Sequence, residues 1–324
     1  MSEIYDFGYL ASKVEKADFL YEPFKHIYLE NFFSDEHFRE IISSSEIGAP
    51  VASNDSELID GLMRNGFKPI SFPGCVTDIR KYIDWHEAGR KFDHHSACEG
   101  FGMALRLYEF PSEILRQLNE FLASDIFNRA IAEKFEVDFE SCDVDGGIQK
   151  YLDGYEISPH PDVRRKAATF MVNINPSDES EEMDHHTHYL KLKNEYAYVE
   201  NFWKGNKTID RAWVPWEWAD LVKQQRRNNS VVFFSPSNDT LHGVKASYDH
   251  LKTQRTQLYG NLWFKESAVE KKMEWEELDL LSRRPVRKEG LRRKVVSALP
   301  PSVKRTINSV LSKKPEVGKR NIKR

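Results

Sequence analysis

The sequence predicts a mainly β protein with flanking α-helices, in which the strands form an antiparallel barrel or a double-sheet jelly roll. Two observations favour this fold class. Helix-like patterns come first along the chain, and strand-like patterns follow them. The later strands are separated by turns and not by helical crossovers, which argues against a doubly wound parallel sheet. With 324 residues, of which 40% are apolar, the chain can bury one large or two small cores.

The N-terminal third contains the predicted helices. Residues 27–33 have the composition of a short strand, and Ser34 followed by acidic residues predicts the beginning of a helix. Residues 48–100 are rich in turn-forming residues and allow no clear assignment. From residue 112 onwards the apolar residues recur with helical spacing, which predicts two helices with a break near Ser124.

From residue 147 the spacing becomes that of strands. Residues 147–152 and 155–162 predict two short strands joined by a tight turn at Asp153-Gly154. Gly146-Gly147 is expected to mark a bend into the first of these strands and not a phosphate-binding loop, because no helix follows it. Three further stretches have strand composition, namely 168–175, 231–235 and 253–264.

Composition argues against several classes of protein. No run of 18 apolar residues exists, so no transmembrane helix is expected, and the acidic N-terminus does not fit a signal peptide. Cys75, Cys98 and Cys142 are odd in number and lack the spacing of metal-binding pairs. Neither a disulfide framework nor a zinc ribbon is therefore predicted, and a reducing, cytoplasmic compartment is expected.

Charge is distributed unevenly along the chain. Residues 283–324 contain 15 Lys or Arg and two acids, which gives a net charge of +13. Because the whole chain has a net charge of −4, the other residues together carry −17. Apolar spacing within this tail predicts two short basic amphipathic helices. The tail either binds an anionic membrane surface, an acidic carrier or nucleic acid, or lies on the acidic body of its own chain. Binding of the tail to a membrane surface would place the protein at the periphery of the membrane.

The strongest candidate for a functional site is His160-Pro161-Asp162. In an extended chain residues i and i+2 project to the same face, so the imidazole and the carboxylate point at a common position. The triplet is a weak signal by itself. His242 follows a predicted strand that would return it to the same end of a barrel. Two His and one carboxylate leave coordination positions open on a non-haem Fe(II) ion.

Arg255 lies 13 residues after His242, at the start of the last predicted strand. Gln257, Tyr259 and Asn261 share its face of that strand. A buried arginine is costly unless it is paired with an anion, and its planar guanidinium matches a carboxylate in a bidentate manner.

In these residues the sequence resembles the Fe(II)/2-oxoglutarate-dependent oxygenase superfamily, specifically its prolyl-4-hydroxylase-like branch. The resemblance runs from about Asn31 to Phe264. It rests on the stretches GGIQKYLDGYEISPHPD, RKAATFMVNINP, NNSVVFFSPSNDTLHGV and QRTQLYGNLWF. The resemblance implies a double-stranded β-helix, that is, a cupin-like jelly roll.

The resemblance also implies roles for individual residues. His160, Asp162 and His242 would bind iron and form the catalytic centre, and Arg255 would hold the distal carboxylate of 2-oxoglutarate. Two further residues would lie near this cosubstrate, namely Tyr151 and Asn173. The implied division of the chain is a helical or mixed region at 1–146, an oxygenase core at 147–270 with an insertion at 178–229, and the basic tail at 271–324.

The implied function is hydroxylation of a C–H bond in a prolyl-type protein residue. Fe(II) would be the cofactor, 2-oxoglutarate and O2 would be consumed, and succinate and CO2 would be released. Ascorbate would support turnover. Two alternatives stay open. The same chemistry could act on a small molecule or on a cell-envelope sugar or lipid, or the chain could be a catalytically silent cupin-like binding module.

Two histidine groups and one tryptophan cluster are further candidates for functional residues. A solvated loop is favoured for residues 184–188, whose histidines could instead bind a metal or face the substrate, and an ordinary surface pair is favoured for His94-His95. Residues 203–218 contain four tryptophans, which either pack the insertion on the barrel or form an aromatic wall over the iron. Trp216 and Trp218 are predicted to begin a helix.

Overall fold

The computed structural model describes residues 4–48, 51–71, 75–90, 97, 102–210 and 212–266. The basic tail at 271–324, the His94-His95 pair and Cys98 lie outside the described residues. Among the residues that are described, no helix is long and apolar enough to cross a membrane.

Helices occupy much of the N-terminal part of the chain, as predicted. Ser34 caps the helix that follows it by accepting a hydrogen bond from the His37 N–H, and Ser124 accepts from the Phe127 N–H at the predicted break. Residues 48–100, which the sequence left unassigned, contain two helices and a strand. The helices of the described residues are α1 (Tyr9–Lys16), α2 (Asp35–Ser43), α3 (Asp55–Arg64), α4 (Ile79–Glu87), α5 (Glu113–Leu122), α6 (Asp125–Lys134) and α7 (Tyr198–Gly205).

The strands form two antiparallel sheets. They are β1 (Ile27–Leu29), β2 (Phe67–Pro69), β3 (Ala104–Leu107), β4 (Cys142–Tyr151), β5 (Glu156–His160), β6 (Lys166–Asn173), β7 (Thr187–Leu192), β8 (Ala219–Gln225), β9 (Val231–Phe234), β10 (His242–Lys245) and β11 (Arg255–Phe264). The larger sheet has the order β1-β9-β6-β11-β4-β3-β2, and the smaller one has the order β5-β10-β7-β8. This architecture confirms the predicted jelly roll with flanking helices.

The outer face of the larger sheet is covered by helices. Phe127 of α6 packs edge-on against Phe170 of β6, with ring centroids 5.4 Å apart, and Phe233 of β9 lies 5.5 Å from Phe170. Gly260 of β11 accommodates this packing, since a Cβ there would lie 2.2 Å from the Phe170 ring. Because apolar residues fill the outer face, the alternate residues of β4, β6 and β11 face the other sheet.

The Asp153-Gly154 turn is a corner between the sheets and not a hairpin turn. Its two strands do not pair, since β4 belongs to the larger sheet and β5 to the smaller one. Gly154 has a φ of +78°, and a Cβ there would lie 2.6 Å from the Trp85 ring. Glycine is therefore required by both the backbone and the packing.

The segment 178–229 contributes β7, β8 and α7 to the fold. The prediction that Trp216 and Trp218 begin a helix is wrong. These residues form a single 3₁₀ turn, Trp216–Trp218, and the chain then pairs with β7 from the register Ala219 opposite Leu192. Tertiary pairing has overridden the local helical pattern here.

A solvated loop at residues 184–188 is also contradicted. The side chains of His185 and His186 are almost fully buried, and Thr187 and His188 belong to β7. The acidic stretch before them is polar, but it forms a short 3₁₀ helix at Asp178–Glu182. Burial of the histidines comes from the packing of neighbouring chain segments, which composition does not reveal.

Lys150 is a buried cation on the outer face of β4, and the structure shows no ion pair between it and a described carboxylate. Its Nζ donates to the Ile47 carbonyl at 2.9 Å and to the Thr256 hydroxyl at 2.8 Å. Burial lowers its pKa to about 7, well below the ordinary value of about 10.4. Between these two values the unfolded chain binds a proton that the folded chain does not.

We expect this lysine to make the free energy of unfolding rise with pH between about pH 7 and 10, by up to about 1.4 kcal/mol per pH unit. Urea unfolding of the wild type and of Lys150→Met across this range measures the contribution as a difference in slope. Lys191→Met, at an exposed position of β7, is the control and should keep the wild-type slope. Equal slopes for wild type and Lys150→Met would contradict the prediction.

Candidate metal centre

Three side chains identified in the sequence meet between the two sheets. His160 ends β5 and lies opposite His242, the first residue of β10, with ring centroids 4.5 Å apart. The Oδ1 of Asp162 lies 3.9 Å from the Nε2 of each histidine. All three ligand atoms lie within 4.8 Å of one another. The three atoms are therefore grouped closely enough to be candidate ligands of one metal ion.

Backbone carbonyls fix the orientation of both imidazoles. The Nδ1 of His160 donates to the Ser158 carbonyl at 2.8 Å, and the Nδ1 of His242 donates to the Thr240 carbonyl at 2.9 Å. This tautomer leaves each Nε2 with a lone pair directed towards the Asp162 carboxylate. Burial lowers the pKa of His160 to about 3 and also lowers that of His242. Both rings are therefore neutral, as metal ligands must be.

Two residues of the following strand hold the Asp162 carboxylate. Its Oδ1 accepts from the Lys166 Nζ at 2.8 Å, and its Oδ2 accepts from the Thr169 hydroxyl at 2.9 Å. Burial alone would raise the pKa of Asp162, but the Lys166 ammonium keeps it below its ordinary value. The centre thus offers two neutral nitrogens and one anionic oxygen, a donor set that suits Fe(II). No local sequence pattern indicates that Lys166 belongs to the site.

Arg255 is the first residue of β11 and is buried between the sheets. Its guanidinium lies 4.5 Å from the centroid of the Tyr151 ring. Its Nη2 donates to the Thr187 hydroxyl at 3.0 Å and to the Gln257 Oε1 at 2.8 Å. Its Nη1 is buried without a hydrogen-bond partner in the described structure. Such an unpaired donor on a buried cation is costly, and an anionic ligand would satisfy it.

One cavity of about 290 Å³ connects the metal centre with Arg255. His160, Asp162, His242 and Arg255 all line it, together with Tyr151. The cavity therefore contains a candidate set of metal ligands and an arginine with an unpartnered donor, and both fit a small dicarboxylate that chelates a metal. The residues present fit Fe(II) and 2-oxoglutarate.

Tyr151 and Asn173, the other two predicted cosubstrate residues, differ in whether they line the cavity. Tyr151 lines the cavity beneath Arg255, and its hydroxyl donates to the Gln149 Oε1 at 2.6 Å. Asn173 is buried but does not belong to the cavity lining among the described residues. Its Oδ1 accepts from the Gln257 Nε2 at 2.9 Å, so it orients the glutamine that contacts Arg255.

The tryptophan cluster is divided between the cavity and the surrounding packing. Trp213 lines the cavity, whereas Trp203 lines a neighbouring groove. Trp216 donates its indole N–H to the Glu156 Oε1 at 2.7 Å, and Trp218 stacks on Tyr196 with ring centroids 4.5 Å apart. Trp216 and Trp218 thus make packing contacts, whereas Trp213 and Trp203 line the cavity and the groove.

The histidines of residues 185–188 lie behind the cavity, and none belongs to its described lining. His186 donates from Nε2 to the Glu181 carbonyl at 3.2 Å, and His188 accepts at Nε2 from Gln224 at 2.7 Å. Thr187, between them, does line the cavity and contacts Arg255. Sequence reasoning missed this threonine because nothing local distinguishes it from its neighbours.

A second cluster of titratable groups surrounds the corner between β4 and β5. His86 of α4 lies between two carboxylates, with Nδ1 2.6 Å from the Asp55 Oδ2 and Nε2 2.9 Å from the Asp153 Oδ2. His250 donates to the Asp55 Oδ1 at 2.7 Å, and Arg90 donates to the Asp153 Oδ1 at 3.0 Å. Direct hydrogen bonds join these groups, and Asp55, His86 and His250 also place ligand atoms within 4.8 Å of one another. Its members are too far apart in the chain to be recognised from spacing.

We expect His86 to stabilise the fold by about 1–2 kcal/mol below about pH 6.5, after allowance for solvent screening. The hydrogen bonds with Asp153 and Asp55 raise its pKa to about 9, whereas the unfolded value is about 6.5. The contribution is therefore fully present below the unfolded value and is lost as the pH rises through 9. Urea unfolding of the wild type and of His86→Gln at pH 6 and pH 10 measures the loss. A constant difference between the two proteins would contradict it, and His37→Gln on α2 serves as the control.

No protein-family model matches the chain, and no curated protein matches it either. Several solved structures are similar to it. A prolyl-4-hydroxylase from Pseudomonas putida aligns with 10% identity over 80% of this chain and 98% of its own, with a TM-score of 0.42. A prolyl hydroxylase from Trichoplax adhaerens, in complex with a hypoxia inducible factor peptide fragment, aligns with 10% identity over 79% of this chain and 88% of its own, with a TM-score of 0.41.

A third similar structure is an oxidoreductase of the 2OG-Fe(II) oxygenase family from Burkholderia pseudomallei. It aligns with 10% identity over 83% of this chain and 96% of its own, with a TM-score of 0.37.

Proposed function

We propose that this chain is an Fe(II)- and 2-oxoglutarate-dependent dioxygenase. His160, Asp162 and His242 are the proposed metal ligands, and Arg255 is the proposed partner of the distal carboxylate of 2-oxoglutarate. The observation that carries the proposal is that a single cavity contains both this ligand set and a buried arginine with an unpartnered N–H. When bound, Fe(II), 2-oxoglutarate and O2 supply an oxidative decarboxylation, with release of succinate and CO2, that is coupled to hydroxylation of a C–H bond.

The residues of the chain bind and orient the reactants. Arg255 offers its free Nη1 to the carboxylate, while Thr187 and Gln257 accept from Nη2 and keep the guanidinium in place. Tyr151 closes the cavity beneath the guanidinium. The buried position of these groups excludes water and strengthens their electrostatic contacts with an anion.

The proposed substrate is a prolyl-type residue of a protein. A groove of about 530 Å³ shares Pro161, Asp162 and Ala212 with the cavity, so it opens beside the metal centre. An extended peptide in this groove would present one side chain to the metal. Trp203 and Asp210 are among the groove's other lining residues and offer apolar and polar contacts.

A small molecule or a cell-envelope sugar or lipid is the second candidate substrate. Trp213 and Trp263 both line the cavity, and aromatic faces of this kind suit the apolar faces of a sugar ring. The two candidates differ in where most of the substrate lies, in the groove for a peptide and within the cavity for a small molecule.

The test is turnover by the full chain with Fe(II), 2-oxoglutarate, ascorbate and O2. Succinate formation, and a product heavier than its substrate by one oxygen atom, are the expected results from a screen of peptides and metabolites. Absence of 2-oxoglutarate binding to the metal-loaded protein would contradict the proposal. Binding without any succinate formation would instead indicate the silent cupin-like module.

The proposed location is cytoplasmic, with the tail at 271–324 as a contact to an anionic membrane surface or an acidic carrier. Its net charge supports this assignment. Binding of the full chain to anionic liposomes, compared with binding of a chain ending at residue 282, tests it. Equal binding of the two would contradict a membrane role for the tail.

A further inference from the structure

Arg106 and Tyr259 form a polar pair in the wall of the cavity that contains the metal centre. Arg106 lies on β3, and its guanidinium is 5.1 Å from the centroid of the Tyr259 ring on β11. Gly147 of β4 lies opposite Tyr259, and a Cβ at Gly147 would touch both side chains. Gly147 therefore lies beside both members of the pair.

Each member of this pair carries a buried polar atom without a hydrogen-bond partner in the described part of the chain. The two atoms are the Nε of Arg106 and the hydroxyl oxygen of Tyr259. Burial raises the pKa of the Tyr259 hydroxyl, so it is a neutral O–H. The pair thus offers an N–H and an O–H donor from one wall of the cavity, and buried donors of this kind are normally satisfied.

The charge around Arg106 is only partly compensated. Its Nη1 lies 3.5 Å from the Asp145 Oδ1, an ion-pair distance too long for a good hydrogen bond, and the Asp145 side chain is 41% exposed. The other cations of the described cavity lining are committed elsewhere, since Lys166 pairs with Asp162 and Arg255 faces the proposed 2-oxoglutarate site. Arg106 is therefore available to bind a negative charge on a second ligand.

We infer that Arg106 and Tyr259 form a second anion-binding point in the cavity, which recognises a carboxylate on the substrate. The inference rests on the proposed function, because that function assigns Arg255 to 2-oxoglutarate. A guanidinium N–H and a phenol O–H that converge on one carboxylate give charge-assisted hydrogen bonds, which are stronger than neutral ones. The substrate would then carry its carboxylate near the carbon that faces the metal.

The probe for this site is benzoate, with benzamide as its neutral counterpart. Trp213 and Trp263 line the same cavity, so their fluorescence reports binding. With Ni(II)-loaded protein saturated with 2-oxoglutarate, benzoate should bind about tenfold more tightly than benzamide or better. Equal affinities, including no measurable binding of either compound, would overturn the inference.

Three variants test whether the preference for benzoate over benzamide comes from Arg106 and Tyr259. Arg106→Gln should abolish the preference for benzoate, and Tyr259→Phe, which removes only an unpartnered hydroxyl and so spares the fold, should weaken benzoate binding by about threefold or more. Asp145→Asn should strengthen benzoate binding by a few-fold, because a competing carboxylate is removed. Arg129→Gln, at an exposed arginine of α6 that pairs with Glu140, is the matched control. An unchanged preference in Arg106→Gln would overturn the inference.

Failure of the inference and failure of the proposed function are distinguishable. Titration of the Ni(II) protein with 2-oxoglutarate tests the proposed function and needs no benzoate. Benzoate titration without 2-oxoglutarate tests the pair by itself. If 2-oxoglutarate displaces benzoate, and Arg255→Gln abolishes benzoate binding, benzoate occupies the Arg255 site and the inference is overturned.

Discussion

Replacement of Asp162 by alanine is expected to lower 2-oxoglutarate turnover by at least about 10²-fold, because it removes the only anionic ligand of the proposed metal centre. The loss also leaves the partly buried Lys166, whose Nζ lies 2.8 Å from Asp162 Oδ1, without this carboxylate partner close to the proposed metal position. Both effects weaken metal binding. Succinate formation and Fe(II) affinity, measured on the purified full chain, are the readouts, and His160→Ala should behave in the same way.

His186→Gln is the matched control for these ligand variants. His186 is as buried as His160, but it does not line the described cavity. We expect it to retain most metal binding and turnover. Full turnover in Asp162→Ala or His160→Ala would exclude the assigned ligand set. Circular dichroism checks that the variants are folded, and if Asp162→Ala is unfolded, Asp162→Asn is measured in its place.

Replacement of Arg255 by glutamine is expected to raise the Kd for 2-oxoglutarate by about 10²-fold or more, since a buried charge-assisted pair is worth several kcal/mol. Glutamine can still contact Thr187 and Gln257, so the wall of the cavity should be preserved. Metal affinity should change little, because Arg255 is not one of the candidate metal ligands. Titration of the metal-loaded protein with 2-oxoglutarate measures the effect.

Arg255→Lys separates charge from geometry. A lysine keeps the positive charge but loses the planar pair of donors, so its Kd should lie between those of the wild type and of Arg255→Gln. A wild-type Kd in Arg255→Gln would show that 2-oxoglutarate binds elsewhere, and would remove the main support for the cosubstrate assignment.

The parts of the fold that could be predicted from sequence are those encoded over short distances. The cap at Ser34, the break at Ser124 and the strands around His160 follow from local spacing, and the structure confirms them. The side chains of His160 and Asp162 come together because two residues in an extended chain share a face. Arg255 and its neighbours on β11 share a face for the same reason.

Other parts depend on contacts between distant segments, and local patterns could not reveal them. Thr187 reaches Arg255 only because β7 pairs with β10. His86 meets Asp55 and Asp153 only because two N-terminal helices pack near the corner after β4. Burial of His185 likewise contradicts the polar composition around it. In each case tertiary packing, and not propensity, decides the environment of the side chain.

The corner at Asp153-Gly154 sets the distance between the two halves of the proposed site. Tyr151, beneath Arg255, ends the strand before it, and His160 ends the strand after it. Tyr248 binds the corner from outside, since its N–H donates to Asp153 and its hydroxyl donates to the Tyr151 carbonyl and accepts from the Arg255 N–H. The corner therefore works as a spacer of fixed length. An insertion there would separate cosubstrate binding from metal binding while leaving every ligand in the sequence, so this short turn should tolerate changes in length far less than surface loops do.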